Sequence, residues 1–241
     1  SRNYVQCLLD FDIPLQLRHT VKRILGRDRV EAVEAVAVDE NWQPVPGTEE
    51  IIPCDTLLLS VGLIPENELS QKAGVQLDPV TGGPYVDESY HTGIPGIFAA
   101  GNVVHVYDLV DWVTEAGTTA GTWAADYAMC TTQTDPSCPP SFDRLADTGL
   151  IPTVPGSRVR YVVPHKVDPE RLTETDVRLQ MRVTEPLEQP VRIEVRDGDN
   201  LITRRAARYA RPGEMVNITL RERDIDRVRQ AKELRVNVVP R

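Results

Sequence analysis

"TGIPGIFAAGNVVHVYDLVDWVTEAGTTAG", residues 92–121, decides how this chain is read. Ile97, Phe98, Ala99 and Ala100 make a short unbroken apolar run between Gly96 and Gly101. Such a run predicts a parallel strand buried on both faces. Gly101 ends it without a side chain, leaving the backbone open to close approach, and Asn102 follows with an amide that both donates and accepts. In open α/β sheets ligands gather at that carboxyl end of the strands. From Asp111 onward Val113, Ala116, Ala120, Trp123, Ala124 and Tyr127 recur at three- and four-residue spacing. This predicts an amphipathic helix with Asp108 or Asp111 as its N-cap, and its free N–H groups suit an anionic or carbonyl-rich ligand. Gly117 and Gly121 each cost up to about 1 kcal/mol relative to alanine inside a helix, so their presence predicts close backbone approach on one face. An ordinary strand and helix without a ligand would show the same pattern.

Working outward, 241 residues at 41% hydrophobic content suffice for one large domain or two modest ones. The N-terminal residues hold no apolar signal core, and no apolar run approaches the roughly 20 residues a bilayer requires, so a cytoplasmic chain with no membrane partner is expected. Cys7, Cys54, Cys130 and Cys138 show no CxxC spacing and no histidine cluster, which predicts scattered structural thiols and no metal site. The net charge of -9 is unevenly divided. Residues 1–157 hold 8 Lys and Arg against 22 Asp and Glu, a balance of -14, whereas residues 158–241 hold 19 against 14, a balance of +5. The acidic part argues against nucleic acid as a partner, as do arginines without interleaved aromatics in the basic part. The shift falls on a Pro-rich stretch, residues 134–157, whose five prolines argue against a long helix or a central strand.

The segment "TGIPGIFAAGN" resembles the second flavin-binding motif of the pyridine nucleotide-disulfide oxidoreductase superfamily, Thr-x-x-Pro-x-Ile-Phe-Ala-x-Gly-Asp. The resemblance implies that Gly101 and Asn102 meet the ribitol of FAD. It also implies that Val110, Asp111 and Trp112 open a helix aimed at the pyrimidine edge of the flavin. Asn102 departs from the family's aspartate, though an amide can still hydrogen-bond a hydroxyl. Upstream, "CDTLLLSVGLIPENELS", residues 54–70, is similar to the strand and turn by which the family's nicotinamide domain returns to its flavin domain, with Gly62 and Pro65 matching. Glu66 stands where an asparagine is expected and Asn67 comes one residue late, so no ligand contact carries over. From the residues alone, Thr56 to Val61 reads as an apolar strand, and "IPLQLRHTVKRILG" and "RVEAVEAVAVD" as strands; together the latter resemble the small antiparallel meander of the family's nicotinamide domain.

No Gly-x-Gly-x-x-Gly turn follows any strand pattern, and such turns receive dinucleotide pyrophosphates. The resemblance therefore implies the C-terminal portion of an FAD-dependent oxidoreductase that passes hydride between NAD(P)H and FAD. Its expected partner is a missing N-terminal FAD/NAD(P)-binding segment or a complementing subunit, with a homo-oligomer as a further expectation. The other reading is a non-catalytic docking protein that keeps a degenerate half-fold. His105, just past the motif, is the one histidine near the inferred site, either as a contact or as a packing residue.

Past the Pro-rich stretch the period becomes two. Val177, Leu179, Met181 and Val183 alternate with polar residues, as do Val191, Ile193 and Val195, and Asp197-Gly198 marks a tight hairpin. About six or seven short strands predict a small β-sandwich, read as a docking or oligomerisation module that meets an acidic surface, on a partner or on the chain's own first half. The expected fold class is thus α/β, a partial FAD/NAD(P)-binding fold of the two-dinucleotide-binding-domain type, followed by an all-β domain. Its boundaries fall at 1–80 (NAD(P)-binding part), 81–132 (FAD-binding part), 133–157 (linker) and 158–241 (β-sandwich).

Overall fold

The computed structural model describes residues 2–132 and 149–241, so most of the stretch assigned to the linker lies outside the described residues. The chain divides into two compact units, Ser1–Gly62 and Leu63–Arg241.

The first unit opens with helix α1 (Arg2–Cys7) and continues into strands β1 (His19–Leu25), β2 (Ala32–Ala37) and β3 (Glu50–Pro53). They pair antiparallel in the order β1-β2-β3, a meander of the kind the family resemblance implied. Every residue of β2 from Ala32 to Val36 is buried, Glu34 among them. Its carboxylate is held by Arg23 at 2.8 Å and Lys22 at 3.5 Å, which satisfies a charge otherwise costly to bury. The apolar run after β3 departs from expectation. Residues 56–61 form no ladder among the described residues, and Leu58 and Val61 are 88% and 90% exposed. A doubly buried strand needs a hydrogen-bonded neighbour and a covering layer, and no described residue supplies either one.

In the second unit, helix α2 (Glu68–Lys72) leads into a segment of isolated bridges, Leu77 with Pro84, Val86 with Thr92 and His91 with Phe98. The run 97–100 also departs from expectation: Phe98 makes that single antiparallel bridge and its neighbours are half-buried, with no parallel ladder. Helix α3 (Val110–Thr132) forms where the periodicity placed it. Ala116 and Ala120 face inward, but a Cβ added to Gly117 or Gly121 would meet nothing within 4 Å. These glycines lie on the exposed side of α3, so the expected close approach does not occur there. It occurs at Gly83, where an added Cβ would run into the Val104 backbone.

The remaining strands are β4 (Ile151–Pro155), β5 (Val159–Val163), β6 (Lys166–Val167), β7 (Val177–Val183), β8 (Val191–Asp197), β9 (Asn200–Ala207), β10 (Val216–Leu220) and β11 (Leu234–Pro240), with helix α4 (Ile225–Gln230) before the last. They build a three-stranded sheet, β10-β7-β5, and a five-stranded sheet, β6-β4-β11-β8-β9. Alternation does the sorting: Leu179, Met181, Ile218 and Leu220 of one sheet and Ile193, Val195, Val236 and Val238 of the other join one buried cluster. β8 and β9 meet through the two-residue loop Gly198-Asp199, with Gly198 at φ +54°, as the Asp-Gly pair suggested. The prolines did not exclude a central strand. β4 lies between β6 and β11, and each proline borders only one ladder: β6 pairs with Ile151 and Pro152, β11 with Thr153 to Pro155. Cys130 is disulfide-bonded, contrary to the thiol expected, while Cys7 and Cys54 are free.

The glycines yield opposite expectations. Gly117→Ala should stabilise the chain by about 0.5–1 kcal/mol, because it removes unfolded-state freedom and meets no atom. Gly83→Ala should destabilise it, because backbone must move to admit the methyl group. Denaturant unfolding of both variants against wild type measures the two signs.

Candidate functional site

The chain reaches the site through Ala100, extended at φ -141° and ψ 163°, and reverses at Gly101, whose φ of +75° suits glycine. Gly101 is buried and an added Cβ would sit 3.3 Å from Val113 Cγ1 of α3. Asn102 is exposed on the short turn Gly101–Val103, and its Oδ1 accepts from the Tyr107 backbone N–H at 3.1 Å. A backbone N–H can only donate, so the carboxamide oxygen is fixed inward and its NH2 group is left to face solvent as a donor. Val110 and Asp111 are exposed in the first turn of α3. Trp112 is half-buried and packs inward against the cluster of Tyr107, Ala116 and Met215. Gly101 and Asn102 thus share one turn, Val110 and Asp111 face solvent, and Trp112 is turned into the fold. Asp108 does not cap α3. Its carboxylate accepts from Arg182 Nη2 and from the Met215 N–H, each at 2.5 Å.

Asn67 holds this turn from behind, a role that sequence did not assign to it. Its buried amide donates to Val103 O at 2.7 Å and Gly82 O at 3.0 Å, and its Oδ1 accepts from Ser70 Oγ at 3.0 Å. The signal was present as a polar residue directly before a helix and three residues ahead of a serine. His165 forms a second clasp: Val86 N–H donates to its Nδ1 at 3.2 Å, so Nε2 carries the proton that faces Asp78 Oδ2 at 3.2 Å. Burial would raise the Asp78 pKa, but hydrogen bonds from His165 and the Val80 N–H outweigh it and hold the carboxyl below its ordinary value.

Residues 2–120 match the family model described as pyridine nucleotide-disulphide oxidoreductase. This part of the chain belongs to that family. Among curated proteins, a glutamate synthase [NADPH] small chain of Halomonas elongata is 31% identical over 117 residues that cover 43% of this chain and 25% of that protein. A thioredoxin reductase of Listeria innocua is 35% identical over 86 residues, covering 35% and 24%. A mitochondrial dihydrolipoyl dehydrogenase of Mesocricetus auratus is 39% identical over 70 residues, covering 28% and 14%. The chain thus spans about a quarter or less of the length of the curated relatives it matches.

Pyridine nucleotide-disulfide oxidoreductases are flavoproteins, and the residues here fit one end of an FAD. An exposed amide donor at Asn102, a glycine reversal and an open helix start at Val110 and Asp111 suit hydroxyl and carbonyl groups. The pyrophosphate end finds no counterpart, since no glycine-rich strand-to-helix turn occurs in the sequence. Among the described residues no group of His, Cys, Asp and Glu could hold a metal ion, and no helix is long and apolar enough to cross a membrane.

Two buried titratable groups flank the site. His105 is 1% exposed, edge-on to Tyr107 and Tyr161 at 4.3 and 5.7 Å, and neither ring nitrogen has a hydrogen-bond partner. Burial, reinforced by the charge of Arg182, pushes its pKa down to about 3. It is a neutral packing residue. Glu88 lines a cleft of about 130 Å³ with Tyr90, Trp112 and Trp123. Burial and the neighbouring Asp87 push its pKa up to about 8, while its Oε2 accepts from the Asp168 N–H at 3.1 Å. The two act on stability with opposite sign. As pH falls from 6.5 towards 3 the unfolded chain protonates His105 and the folded chain does not, so stability is lost. As pH rises from 4.5 towards 8 the unfolded chain ionises Glu88 and the folded chain does not, so stability is again lost. His105→Leu should flatten the acid limb and Glu88→Gln the alkaline limb of a pH series of thermal melts.

Proposed function

We propose that the chain is the C-terminal portion of an FAD-dependent NAD(P)H oxidoreductase. Residues 1–80 would then continue a nicotinamide-binding domain, 81–132 complete a flavin-binding domain, 133–157 link, and 158–241 form a β-sandwich used for docking or self-association. The observation that carries this reading is the turn at Gly101 and Asn102, pinned by Asn67 and Tyr107 with its amide donor left outward. In this role the Asn102 NH2 donates to a ribitol hydroxyl and Gly101 lets the chain pass without a side chain. Val110 and Asp111 present the opening N–H groups of α3 to the pyrimidine edge. Trp112 backs that turn from the inside. Bound FAD supplies the hydride chemistry between NAD(P)H and a further acceptor. The pyrophosphate site would come from an N-terminal segment or a complementing subunit. Small-molecule redox partners fit the acidic balance of residues 1–157 better than nucleic acid does.

Two measurements test the reading. The protein joined to its N-terminal dinucleotide-binding part should be yellow, with flavin bands that NADH or NADPH bleaches, and a colourless protein that takes up no added FAD overturns the proposal in favour of a docking protein with a degenerate half-fold. The chain alone should show no saturable submicromolar FAD binding. In the joined protein Asn102→Asp should keep the Tyr107 contact and retain flavin, whereas Asn102→Ala should weaken flavin binding about tenfold, read by equilibrium dialysis.

A further inference from the structure

The outer face of the β8-β9 pair carries a concentration of guanidinium groups that the oxidoreductase reading does not use. Across the ladder Arg192 stands opposite Ala206 and Glu194 opposite Arg204. The small alanine leaves a depression of about 290 Å³ on this face, bordered by Arg192, Arg204 and Arg241. One carboxylate lies beneath it. Glu194 is buried, and its nearer partner is Arg196, whose Nε donates to Oε2 at 2.8 Å. Arg192 Nε is 3.7 Å from the other oxygen, beyond hydrogen-bond reach, and is a buried donor with no partner. Arg205, paired with the buried Ile193, belongs to the other face, where its Nη1 donates to Asn217 O and Oδ1, both at 2.6 Å. Among the described residues Arg204 and Arg241 form no ion pair.

Such an arrangement is unfavourable as it stands. Guanidiniums gathered on one face repel one another, and a buried donor without an acceptor forfeits its hydration. A ligand bringing two negative charges and several acceptor oxygens into the depression would relieve both. A phosphoryl group has that charge and three oxygens for planar guanidinium forks; a single carboxylate has half the charge and two oxygens, and chloride has no directional acceptor. The patch is short, and no aromatic side chain lines it, so it lacks the stacking platform of a nucleic-acid track. We propose that Arg192, Arg204 and Arg241 form a binding site for the phosphoryl group of a small phosphorylated molecule.

The test is calorimetric titration of the full chain with inorganic phosphate and with pyrophosphate at physiological ionic strength. Saturable binding is expected, tighter for pyrophosphate, and weakened about tenfold or more by Arg192→Gln and by Arg204→Gln. Arg192→Lys keeps the charge but loses the Nε donor, and should weaken binding as well. Arg211→Gln removes a guanidinium already held by Glu188 at 2.8 and 2.9 Å, and should leave binding unchanged. Unfolding curves of each variant that overlay wild type separate loss of the site from loss of the fold. No saturable heat with either anion overturns the proposal. So do equal affinities in wild type and the Arg192 and Arg204 variants, equal displacement by chloride, or tighter binding of a single-stranded oligonucleotide than of pyrophosphate. None of these outcomes depends on flavin.

Discussion

Asp108 holds the flavin-family loop and the β-rich region to each other. One carboxylate oxygen takes Arg182 Nη2 and the other the Met215 N–H, while the same Arg182 also donates to Val106 O at 3.1 Å and Pro212 O at 3.3 Å. Three chain segments, the approach to α3, strand β7 and the turn before β10, meet at this pair. Its side chains are 16% and 28% exposed, so the attraction is less screened by solvent than in the exposed pair Arg211–Glu188. Around it pack Tyr107, Ala116 and Met215, and beside them Val86, Val104, Tyr161 and Val163. Arg178–Glu115 at 2.5 Å and His165–Asp78 at 3.2 Å repeat the pattern of a basic residue from the β-rich region meeting an acid from the segment before it. The uneven charge distribution is thereby used, at least in part, within one compact unit.

Sequence spoke most clearly where local rules suffice. The strands β7 and β8 follow from strict alternation, their hairpin from Asp197-Gly198, and α3 from three- and four-residue spacing. It misled where a segment's structure depends on its neighbours. Residues 56–61 and 97–100 have the composition of doubly buried strands, yet a strand is defined by its partner, and no described residue pairs with either run in a parallel ladder. Prolines 152 and 155 look like strand breakers until the register shows that each sits where one ladder has stopped. Glycine misled in the same way. Gly117 and Gly121 look like contact glycines in a helix pattern, whereas Gly83, in a turn, is pressed against the Val104 backbone.

At the candidate site the turn at Gly101 and Asn102 was legible from its motif, and its supports were not. Asn67 reaches across 36 positions to Val103 O, and Asp108 across 107 to the Met215 N–H; no short-range pattern encodes either. The substitution of asparagine for the family's aspartate also gains a physical meaning. With the oxygen committed to the Tyr107 N–H, asparagine offers outward a donor where a carboxylate would offer an acceptor, so a hydroxyl placed there must turn its lone pair, not its proton, towards the protein.

The parallel pairing of β4 with β11 bears on the order in which this molecule can be assembled. Leu234 lies beside Thr153 and Val236 beside Pro155, so the five-stranded sheet joins residues separated by about eighty positions. β8 and β9 can zip locally as a hairpin, but β4 and β6 have no route into that sheet except through β11. On the ribosome the earlier strands must therefore wait, with Ile193, Val195 and Val236's future neighbours uncovered, until residues 234–240 have left the exit tunnel. Such delayed, non-local closure is slow and leaves apolar strand faces open until the last strand is in place.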